Sequence, residues 1–176
     1  RNITEQSLPA DTKFDIYIVD GGSTDGTVEI VKTQFHHVNI KTVDGVFWNR
    51  GMIEAWKMAE EKKRNGCNYD YYLWLNDDTF IYKDCIASLL RVSLLKKNRT
   101  IVLGSTVDTQ TRSKLTYGGR DKTGKVARPS SDDSPVPVIM MNGNIVLVPH
   151  SVYKKLGTLD PYYTCRLYTS PSPRES

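Results

Sequence analysis

Short apolar runs alternate with helix-like segments through the first two thirds of the chain. The runs Phe14–Asp20, Val38–Val43 and Tyr71–Leu75, and the stretch 101–107, are rich in β-branched and aromatic residues, which is typical of strands buried on both faces. Alternating strands and helices predict an α/β fold in which a mainly parallel sheet is flanked by helices. Ligands of such sheets bind beyond the carboxyl ends of the strands.

Apolar residues recur at helical spacing in three segments between and after these runs. The inward-facing residues predicted by this spacing are Val28, Val31 and Phe35 in the first helix, Met52, Ile53, Trp56 and Ala59 in the second, and Ile86, Leu89, Leu90 and Leu94 in the third. We expect Ser23 or Thr24 to cap the first helix and Gly66 to end the second. Lys96 and Lys97 are expected in the last turn of the third helix.

The remaining segments are more polar. Residues 108–135 predict a ribbon and a mobile loop, and Val136–Pro149 predicts a strand that an Asn-Gly pair interrupts. A short helix capped by Ser151 and ended by Gly157 is expected to follow. The first nine residues look like the last turn of a helix.

The composition restricts the class of protein. The 176 residues are 39% apolar and 25% charged, with a formal net charge of +4. These values fit one ordinary soluble domain and give no support to sequence-specific nucleic-acid binding. No apolar run approaches the roughly 18 residues of a membrane span. Cys67, Cys85 and Cys165 form no C-x-x-C pair, which fits a reducing cytoplasm.

The first candidate site is the sequence VDGGSTDGT, which follows the first strand. Asp20 at the strand end can accept hydrogen bonds from a nucleotide base or a ribose hydroxyl, and the glycines after it let the backbone approach a flat ligand. The alternative is a tight strand-to-helix turn in which Asp20 and Ser23 satisfy backbone amides. The residues alone leave both interpretations open.

The second candidate site is LWLNDDTF, where two adjacent acids follow an apolar strand. Asp77 and Asp78 are costly there unless they are solvated or paired with a cation. Oxygen ligands of this kind suit Mg²⁺ or Mn²⁺, and such an ion would neutralise a leaving diphosphate. The alternative is that Asp77 or Asp78 caps the helix that begins after Tyr82.

Two further segments carry candidate chemistry. In FWNRG, Arg50 can clamp a phosphate and Trp48 can stack on a ring; alternatively, Asn49 caps a helix and Trp48 lies in the core. In MNGN, polar residues interrupt an apolar strand, which predicts either a bulge directed at a ligand or a plain hairpin or bulge. No G-x-S-x-G motif occurs, so a hydrolase is not indicated.

Taken in order, four segments resemble the family 2 glycosyltransferases of the GT-A fold: VDGGSTDGT, FWNRGMIEA, LNDDT and MNGNIVLVPHSVYKKLGTLD. The resemblance implies a GT-A, Rossmann-like fold with a mixed, mainly parallel sheet. It also implies the roles of the site residues. Donor-binding residues are then Asp20, Gly21, Ser23, Asn49, Arg50, Gly51, Asn76 and Asp77. The metal ligands are Asp78, helped by Asp77, and the acceptor-binding residues are Asn142, Gly143 and Asn144.

The same resemblance implies transfer of a sugar from a nucleotide-diphospho-sugar, such as a UDP- or dTDP-sugar, to an acceptor hydroxyl, with inversion and with Mn²⁺ or Mg²⁺ as cofactor. The expected acceptor is a saccharide or lipid-linked molecule of cell-surface polysaccharide or glycan synthesis, and some relatives transfer rhamnose. This activity is compatible with a cytoplasmic location. It is also compatible with peripheral association of the full-length protein at the cytoplasmic face of a membrane. The alternatives are a non-catalytic nucleotide-sugar-binding module and a nucleotidyltransferase-like domain.

Both ends depart from the family pattern. The family's first strand is not found before the first helix, and the acidic segment that supplies the general base is not found after Tyr163. We therefore expect a partial domain at residues 1–164, incomplete at both ends, inactive and poorly soluble because strand edges are left unpaired, and we assign no catalytic base. Residues 165–176 resemble translated sequencing-adapter DNA and are expected to be an artefactual, disordered tail.

Overall fold

The structure is a computed structural model that describes residues 3–64, 66, 68–128, 130 and 134–162. The expected tail at 165–176, together with Cys67 and Cys165, lies outside these residues. Within them, the elements follow in the order β1 (Ile16–Asp20), α1 (Thr27–Gln34), β2 (Val38–Thr42), α2 (Trp48–Arg64), β3 (Tyr71–Leu75), α3 (Cys85–Leu95), β4 (Val102–Leu103), β5 (Thr106–Val107), β6 (Leu115–Tyr117), β7 (Gly119–Arg120), β8 (Met140–Met141), β9 (Ile145–Pro149) and α4 (His150–Leu156).

The chain divides into two compact units. The first, which we name the parallel unit, comprises the described residues within 13–68 and 157–162. The second, the antiparallel unit, comprises the described residues within 3–12 and 69–156. No helix in the described ranges combines the length and the apolar character needed to cross a membrane.

The parallel unit contains β1, α1, β2 and α2. Strands β1 and β2 pair in parallel, and Asp20 at the end of β1 lies opposite Thr42 at the end of β2. Helix α2 packs against β1 and buries Ile53, Trp56 and Ala59, which confirms the apolar face predicted for this helix. Because the two strands share a direction, the loops that follow them lie at the same edge of the sheet.

The sheet of the antiparallel unit has the strand order β3–β9–β4, and β9 is antiparallel to both of its neighbours. Strands β3 and β4 therefore run in the same direction, as expected for a strand–helix–strand connection through α3. On one face of this sheet, Ile145 and Leu147 of β9 form a hydrophobic cluster with Leu89 of α3 and Val102 of β4.

Helix α4 covers the opposite face of the same sheet. The ring of Tyr72 in β3 lies 6.2 Å from the ring of His150 and 4.9 Å from that of Tyr153, measured between centroids. All five residues of β9 are buried. A strand covered on both faces is expected to be apolar throughout, and the sequence of β9 shows this pattern.

The α/β class is confirmed, but the strand pairing differs from the expected mainly parallel sheet. Among the described strands, β1–β2 is the parallel ladder and the other ladders are antiparallel. The physical reason is that β9 inserts between β3 and β4, where it buries residues of both faces. The β5–β6 and β7–β8 pairs are short antiparallel ribbons. In each pair one strand, β6 or β7, comes from the polar region 108–135 where a ribbon was predicted, and the other comes from a neighbouring stretch.

The strand predicted at residues 101–107 is divided into β4 and β5, which belong to different sheets. The break falls at Gly104, where a Cβ atom would lie 2.6 Å from the side chain of Ile145. The chain therefore passes close to β9 at this point and then leaves it. The prediction was wrong here because the local apolar pattern runs through the break.

The predicted caps of α1 were also wrong. The residue before α1 is Gly26, with φ 83°, and neither Ser23 nor Thr24 caps the helix. Instead, the Asp25 carboxylate accepts hydrogen bonds from the amide and the hydroxyl of Thr27, at 3.0 and 2.6 Å. A left-handed glycine followed by an Asp–Thr turn thus starts this helix.

The later helices and the first residues also differ in detail from the predictions. In α3, Leu94 is exposed, and the helix ends before Lys96 and Lys97. In α4, Ser151 lies inside the helix, where its hydroxyl donates to the Asn98 carbonyl. Residues 3–5 form a turn, not the predicted end of a helix. Helix periodicity alone did not locate these ends, since they depend on contacts with distant segments.

Candidate functional site

Asp20 lies at the carboxyl end of β1 and is 6% exposed. Its carboxylate accepts hydrogen bonds from the backbone N–H of Gly22, at 3.0 Å, and from that of Ser23, at 3.1 and 3.3 Å. A hydrogen bond from the Ser23 hydroxyl is the main cause that lowers the pKa of Asp20, while burial acts in the opposite direction. The Asp20 carboxylate therefore stabilises the turn that follows β1. Its contact with a nucleotide-sugar donor stays a prediction.

A second loop packs tightly against this turn. Val43 and Gly45 donate backbone hydrogen bonds to the carbonyls of Asp20 and Gly21, at 2.8 and 3.1 Å. A Cβ atom on Gly21 would lie 2.9 Å from the carbonyl oxygen of Val46, so a larger residue would displace the loop. Because this loop leads directly into α2, the VDGGST turn and the FWNRG segment lie at one edge of the parallel unit.

The FWNRG segment forms the first turn of α2, which begins at Trp48. Asn49 lies inside the helix and is not its cap; its Nδ2 donates to the carbonyl of Asp160 at 3.0 Å. Arg50 is exposed, and a Cβ atom on Gly51 would meet no atom within 4 Å. This turn thus presents an exposed guanidinium and open space, which is compatible with the predicted contact to donor phosphates.

In the antiparallel unit, strand pairing brings together the two remaining candidate segments. Leu75 at the end of β3 lies opposite Ile145 at the start of β9. The ladder continues one step further, because the Asn76 N–H donates to the Asn144 carbonyl at 3.0 Å. The acidic segment after β3 and the Asn-Gly-Asn segment before β9 therefore lie side by side, although they are far apart in the sequence.

The acidic segment turns sharply after β3 and places its carboxylates in solvent. The Thr79 N–H donates to the Asn76 carbonyl at 3.2 Å, and Asp77 and Asp78 are both exposed. The Thr79 hydroxyl lies 3.5 Å from Oδ1 of Asp78, at the limit of a hydrogen bond. Both carboxylates are therefore accessible to a cation.

Two adjacent exposed carboxylates fit the kind of Mg²⁺ or Mn²⁺ site that waters and substrate phosphates complete. Within residues 3–162, apart from those the structure leaves undescribed, no group of three or more His, Cys, Asp or Glu side chains could hold a metal ion. A metal at this segment would therefore depend on Asp77, Asp78 and a phosphate-bearing ligand together.

Neither acid caps α3, so the alternative interpretation of the acidic segment is wrong. The residue before α3 is Asp84, and its side chain makes no capping hydrogen bond. The Ile86 N–H donates instead to Oε1 of Gln6, at 3.2 Å. Because Gln6 from the first residues of the chain serves this helix end, the carboxylates of Asp77 and Asp78 are not needed there.

The Asn-Gly-Asn segment is a break between two sheets. Strand β8 pairs with β7, whereas β9 pairs with β3 and β4, so the plain hairpin is excluded. Oδ1 of Asn142 is buried and has no hydrogen-bond partner among the described residues. Buried polar atoms are almost always paired with protein groups or ordered water, so this oxygen can accept a further hydrogen bond, from water in a plain bulge or from a ligand.

The four candidate segments thus form two pairs, one in each compact unit. The VDGGST turn and the first turn of α2 share an edge of the parallel unit. The acidic and Asn-Gly-Asn segments share an edge of the antiparallel unit. That Asp20 and Asp78 face one ligand stays a prediction.

These features define a class: an α/β protein with glycine-bearing polar loops beyond the carboxyl ends of its strands, where such proteins bind ligands. A family model described as Glycosyl transferase family 2 matches residues 1–145. Because this match covers most of the chain, the chain belongs to glycosyl transferase family 2. Neither the curated proteins nor the solved structures gave a match.

Family membership confirms two of the predictions from sequence. The fold is the Rossmann-like α/β fold of GT-A enzymes, and the general chemistry is transfer of a glycosyl group from a nucleotide-sugar to an acceptor. Members of the family commonly use a divalent metal, in agreement with the accessible carboxylates at the end of β3.

Several residues at these edges were missed from the sequence. The Thr42 hydroxyl also lowers the pKa of Asp20 through a hydrogen bond. Oδ1 of Asp44 would lie 3.0 Å from a Cβ atom on Gly22. The register of β1 and β2 brings Thr42 next to Asp20, and the close packing of the two loops brings Asp44 next to Gly22. Neither residue lies in a recognisable sequence motif, so the sequence alone did not indicate them.

Proposed function

We propose that the chain carries the nucleotide-sugar site of an inverting, metal-dependent glycosyltransferase that takes a UDP- or dTDP-sugar and a saccharide or lipid-linked acceptor. The observation that carries the proposal is the pairing of the acidic segment with the Asn-Gly-Asn segment at the end of β3. A transferase must hold the leaving diphosphate and the attacking hydroxyl close together. The acidic segment supplies carboxylates that hold the diphosphate through a metal ion. The Asn-Gly-Asn segment supplies amides that orient the acceptor hydroxyl.

Each candidate segment has a role in this proposal. Asp78, helped by Asp77, holds a Mg²⁺ or Mn²⁺ ion together with the donor diphosphate. The bound ion supplies positive charge against the charge that develops on the leaving group. Arg50, exposed in the first turn of α2, adds a cation for the phosphates, and Asp20 contacts the base or ribose. The remaining donor contacts come from Gly21, Ser23, Asn49, Gly51 and Asn76.

The Asn-Gly-Asn segment is proposed to orient the acceptor. The buried, unpaired Oδ1 of Asn142 accepts a hydrogen bond from an acceptor hydroxyl, and Gly143 and Asn144 complete the contact. The acceptor oxygen forms a bond to the anomeric carbon while the bond from that carbon to the diphosphate oxygen breaks, so the configuration inverts. The hydroxyl proton passes to a general base, which we assign to none of the described residues.

Nucleotide binding tests this proposal without requiring turnover. Asp78→Ala is expected to abolish Mn²⁺-dependent binding of UDP and dTDP, because the ion loses its principal protein ligand. Isothermal titration calorimetry with each nucleotide, in the presence of Mn²⁺ and then of EDTA, measures the effect. Asp84→Ala is the matched control, since Asp84 is also an exposed aspartate after β3 but lies at the start of α3 without a capping bond. Equal losses in the two variants would refute the proposed metal site.

The biological setting is also a proposal. We place the activity in the cytoplasm, at the cytoplasmic face of a membrane, in cell-surface polysaccharide or glycan synthesis, with rhamnose among the candidate sugars. Fractionation of cells that express the protein tests the location. In the full-length protein, nucleotide-sugar binding without transfer to any offered hydroxyl would support the non-catalytic binding module instead.

A further inference from the structure

A shallow pocket of about 290 Å³ lies where the end of α3 meets α4 in the antiparallel unit. Its lining residues are Lys97, Arg99, Ser151, Val152, Lys155 and Leu156. Half of them are cations and none is an acid. The Ser151 hydroxyl donates to the Asn98 carbonyl, which joins α4 to the turn that follows α3.

The segments that build this pocket carry only positive charge. Residues 91–100 and 150–157 contain no Asp or Glu, and their cations are Arg91, Lys96, Lys97, Arg99, Lys154 and Lys155. The ion pairs found among the described residues engage other lysines. Clustered cations without acidic partners repel one another, so this surface is suited to a partner with negative charge.

Three leucines in these two segments are exposed. Leu94 and Leu95 in the last turn of α3 are 61% and 62% exposed, and Leu156 at the end of α4 is 68% exposed. The Lys97 N–H donates to the Leu94 carbonyl at 2.8 Å, and Leu156 lines the pocket beside Lys97. Leu156 therefore shares the pocket with the cations, and Leu94 and Leu95 directly precede Lys96 and Lys97 in the sequence.

We propose that this surface docks the protein on an anionic lipid bilayer; we name it the basic leucine surface and define it as residues 94–99 and 150–156. Leucines can enter the boundary between headgroups and acyl chains while lysines and arginines meet the lipid phosphates. A nucleic acid or a free phosphate would use the cations but not the leucines. The proposal gives the membrane association suggested above a specific surface, and it does not depend on the donor site.

Sedimentation of the chain with vesicles tests the proposal. Vesicles of phosphatidylcholine with about 30% phosphatidylglycerol should bind the chain, those of phosphatidylcholine alone should not, and binding should weaken as salt rises from about 0.05 to 0.5 M. The triple variant Lys97→Gln, Arg99→Gln, Lys155→Gln should lower the affinity for anionic vesicles by about tenfold or more. All three side chains are exposed, so the fold should be retained.

The matched control is the triple variant Lys122→Gln, Lys125→Gln, Arg128→Gln. It also removes two lysines and one arginine from exposed positions of the antiparallel unit. It should bind anionic vesicles within about twofold of the original chain, because only the overall charge has changed. Equal losses in the two triple variants would show a general effect of net charge and would overturn the proposal.

Leu94→Ser combined with Leu95→Ser distinguishes a bilayer from soluble anions. This variant should bind anionic vesicles more weakly even at low salt, because apolar insertion is lost. The proposal fails if the leucine variant binds vesicles as the original chain does, or if inorganic phosphate or RNA, each added at constant ionic strength, displaces the chain from them. Calorimetry of UDP and dTDP on the original chain separates the two proposals, since intact nucleotide binding without any binding to anionic vesicles would refute only this one.

Discussion

At the scale of single residues, the aspartates differ in what their carboxylates contact. Asp20, Asp25 and Asp108 accept hydrogen bonds from loop hydroxyl and N–H groups, which lower the pKa of each. Asp77 and Asp78 are exposed at the end of β3. A carboxylate engaged by its own loop stabilises that loop in the ionised form, whereas the exposed pair is accessible to a metal ion.

The loop between β5 and β6 should depend on pH through Asp108. The Thr111 hydroxyl is the largest cause of its lowered pKa, and the N–H groups of Thr111, Lys114 and Gln110 act in the same direction. Because the folded-state pKa lies below the unfolded value of about 3.9, the stabilisation is complete above that value and is lost as the pH falls toward the folded-state pKa. Asp108→Asn should remove this dependence.

The chemical shifts of the Thr111 and Lys114 amides, followed by NMR from about pH 7 down to the folded-state pKa of Asp108, measure this effect. In the original chain, both amides should move together as Asp108 titrates. If the Asp108→Asn variant shows the same titration, another group controls the loop.

Gly51 offers a test of the predicted donor pocket. It lies in the first turn of α2, with open space where a Cβ atom would be, so alanine fits the helix and should raise the free energy of unfolding by about 0.5–1 kcal/mol. If Gly51 lines the donor pocket, Gly51→Ala should weaken nucleotide binding at the same time. Urea unfolding and calorimetry on the same variant measure both.

Gly66→Ala is the contrasting control for this prediction. Gly66 has φ 99°, a left-handed conformation that alanine adopts only with strain. The substitution should lower the free energy of unfolding and leave nucleotide binding unchanged. Higher stability of Gly66→Ala would contradict the expected backbone strain at Gly66. Unchanged nucleotide binding by Gly51→Ala would contradict the predicted place of Gly51 in the donor pocket.

At the scale of elements, β9 organises the antiparallel unit. It pairs with β3 and β4 and contributes to the packing on both faces of its sheet. Helix α3 contributes a buried polar contact as well: the Ser93 hydroxyl and the Tyr71 hydroxyl both donate to Oδ1 of Asn98, each at 3.0 Å. These contacts join the start of β3, the last turns of α3 and the turn after α3.

Leu147→Ala should test the central role of β9. Leu147 is 1% exposed, so its truncation leaves a cavity and should lower the free energy of unfolding by about 2–5 kcal/mol. Leu95→Ala removes the same atoms from a position that is 62% exposed, and its effect should stay within about 0.5 kcal/mol. Urea denaturation of both variants is the measurement, and similar losses would show that β9 is not the packing centre.

At the scale of the whole molecule, the two units differ in how much apolar surface they bury. In the parallel unit, the buried apolar residues of the described part are Ile53, Trp56 and Ala59 of α2, whereas β9 and its neighbours supply most of the others. Helix α1 has no buried residue. Local stability follows buried contacts, so we expect the units to differ in their resistance to opening.

Hydrogen–deuterium exchange should reveal this difference. The amides of β9 should exchange at least about 100-fold more slowly than those of α1, because opening α1 exposes little apolar surface. Mass spectrometry of peptides from both elements measures the rates. Equal protection would indicate that another molecule covers α1 in solution.

The sequence by itself determined the secondary structure of most of the chain and the identity of the candidate segments. The bounds of β3 were predicted without error, and β1 and β2 were located to within two residues at each end. Apolar periodicity and glycine positions act over a few residues, so they can be recognised locally. The family membership of the chain was likewise predicted from four local motifs and is confirmed.

Only the tertiary structure decided which segments become neighbours. The insertion of β9 between β3 and β4, the contact between Asn76 and Asn144, and the cap that Gln6 provides for α3 all join distant parts of the chain. Leu94 is exposed although its side chain is apolar, and Ser93 is completely buried although its side chain is polar. These contacts and exposures arise because both faces of a sheet are buried and its strands are paired with strands from distant parts of the chain. A short stretch of sequence holds no information on which distant segments will pack against it.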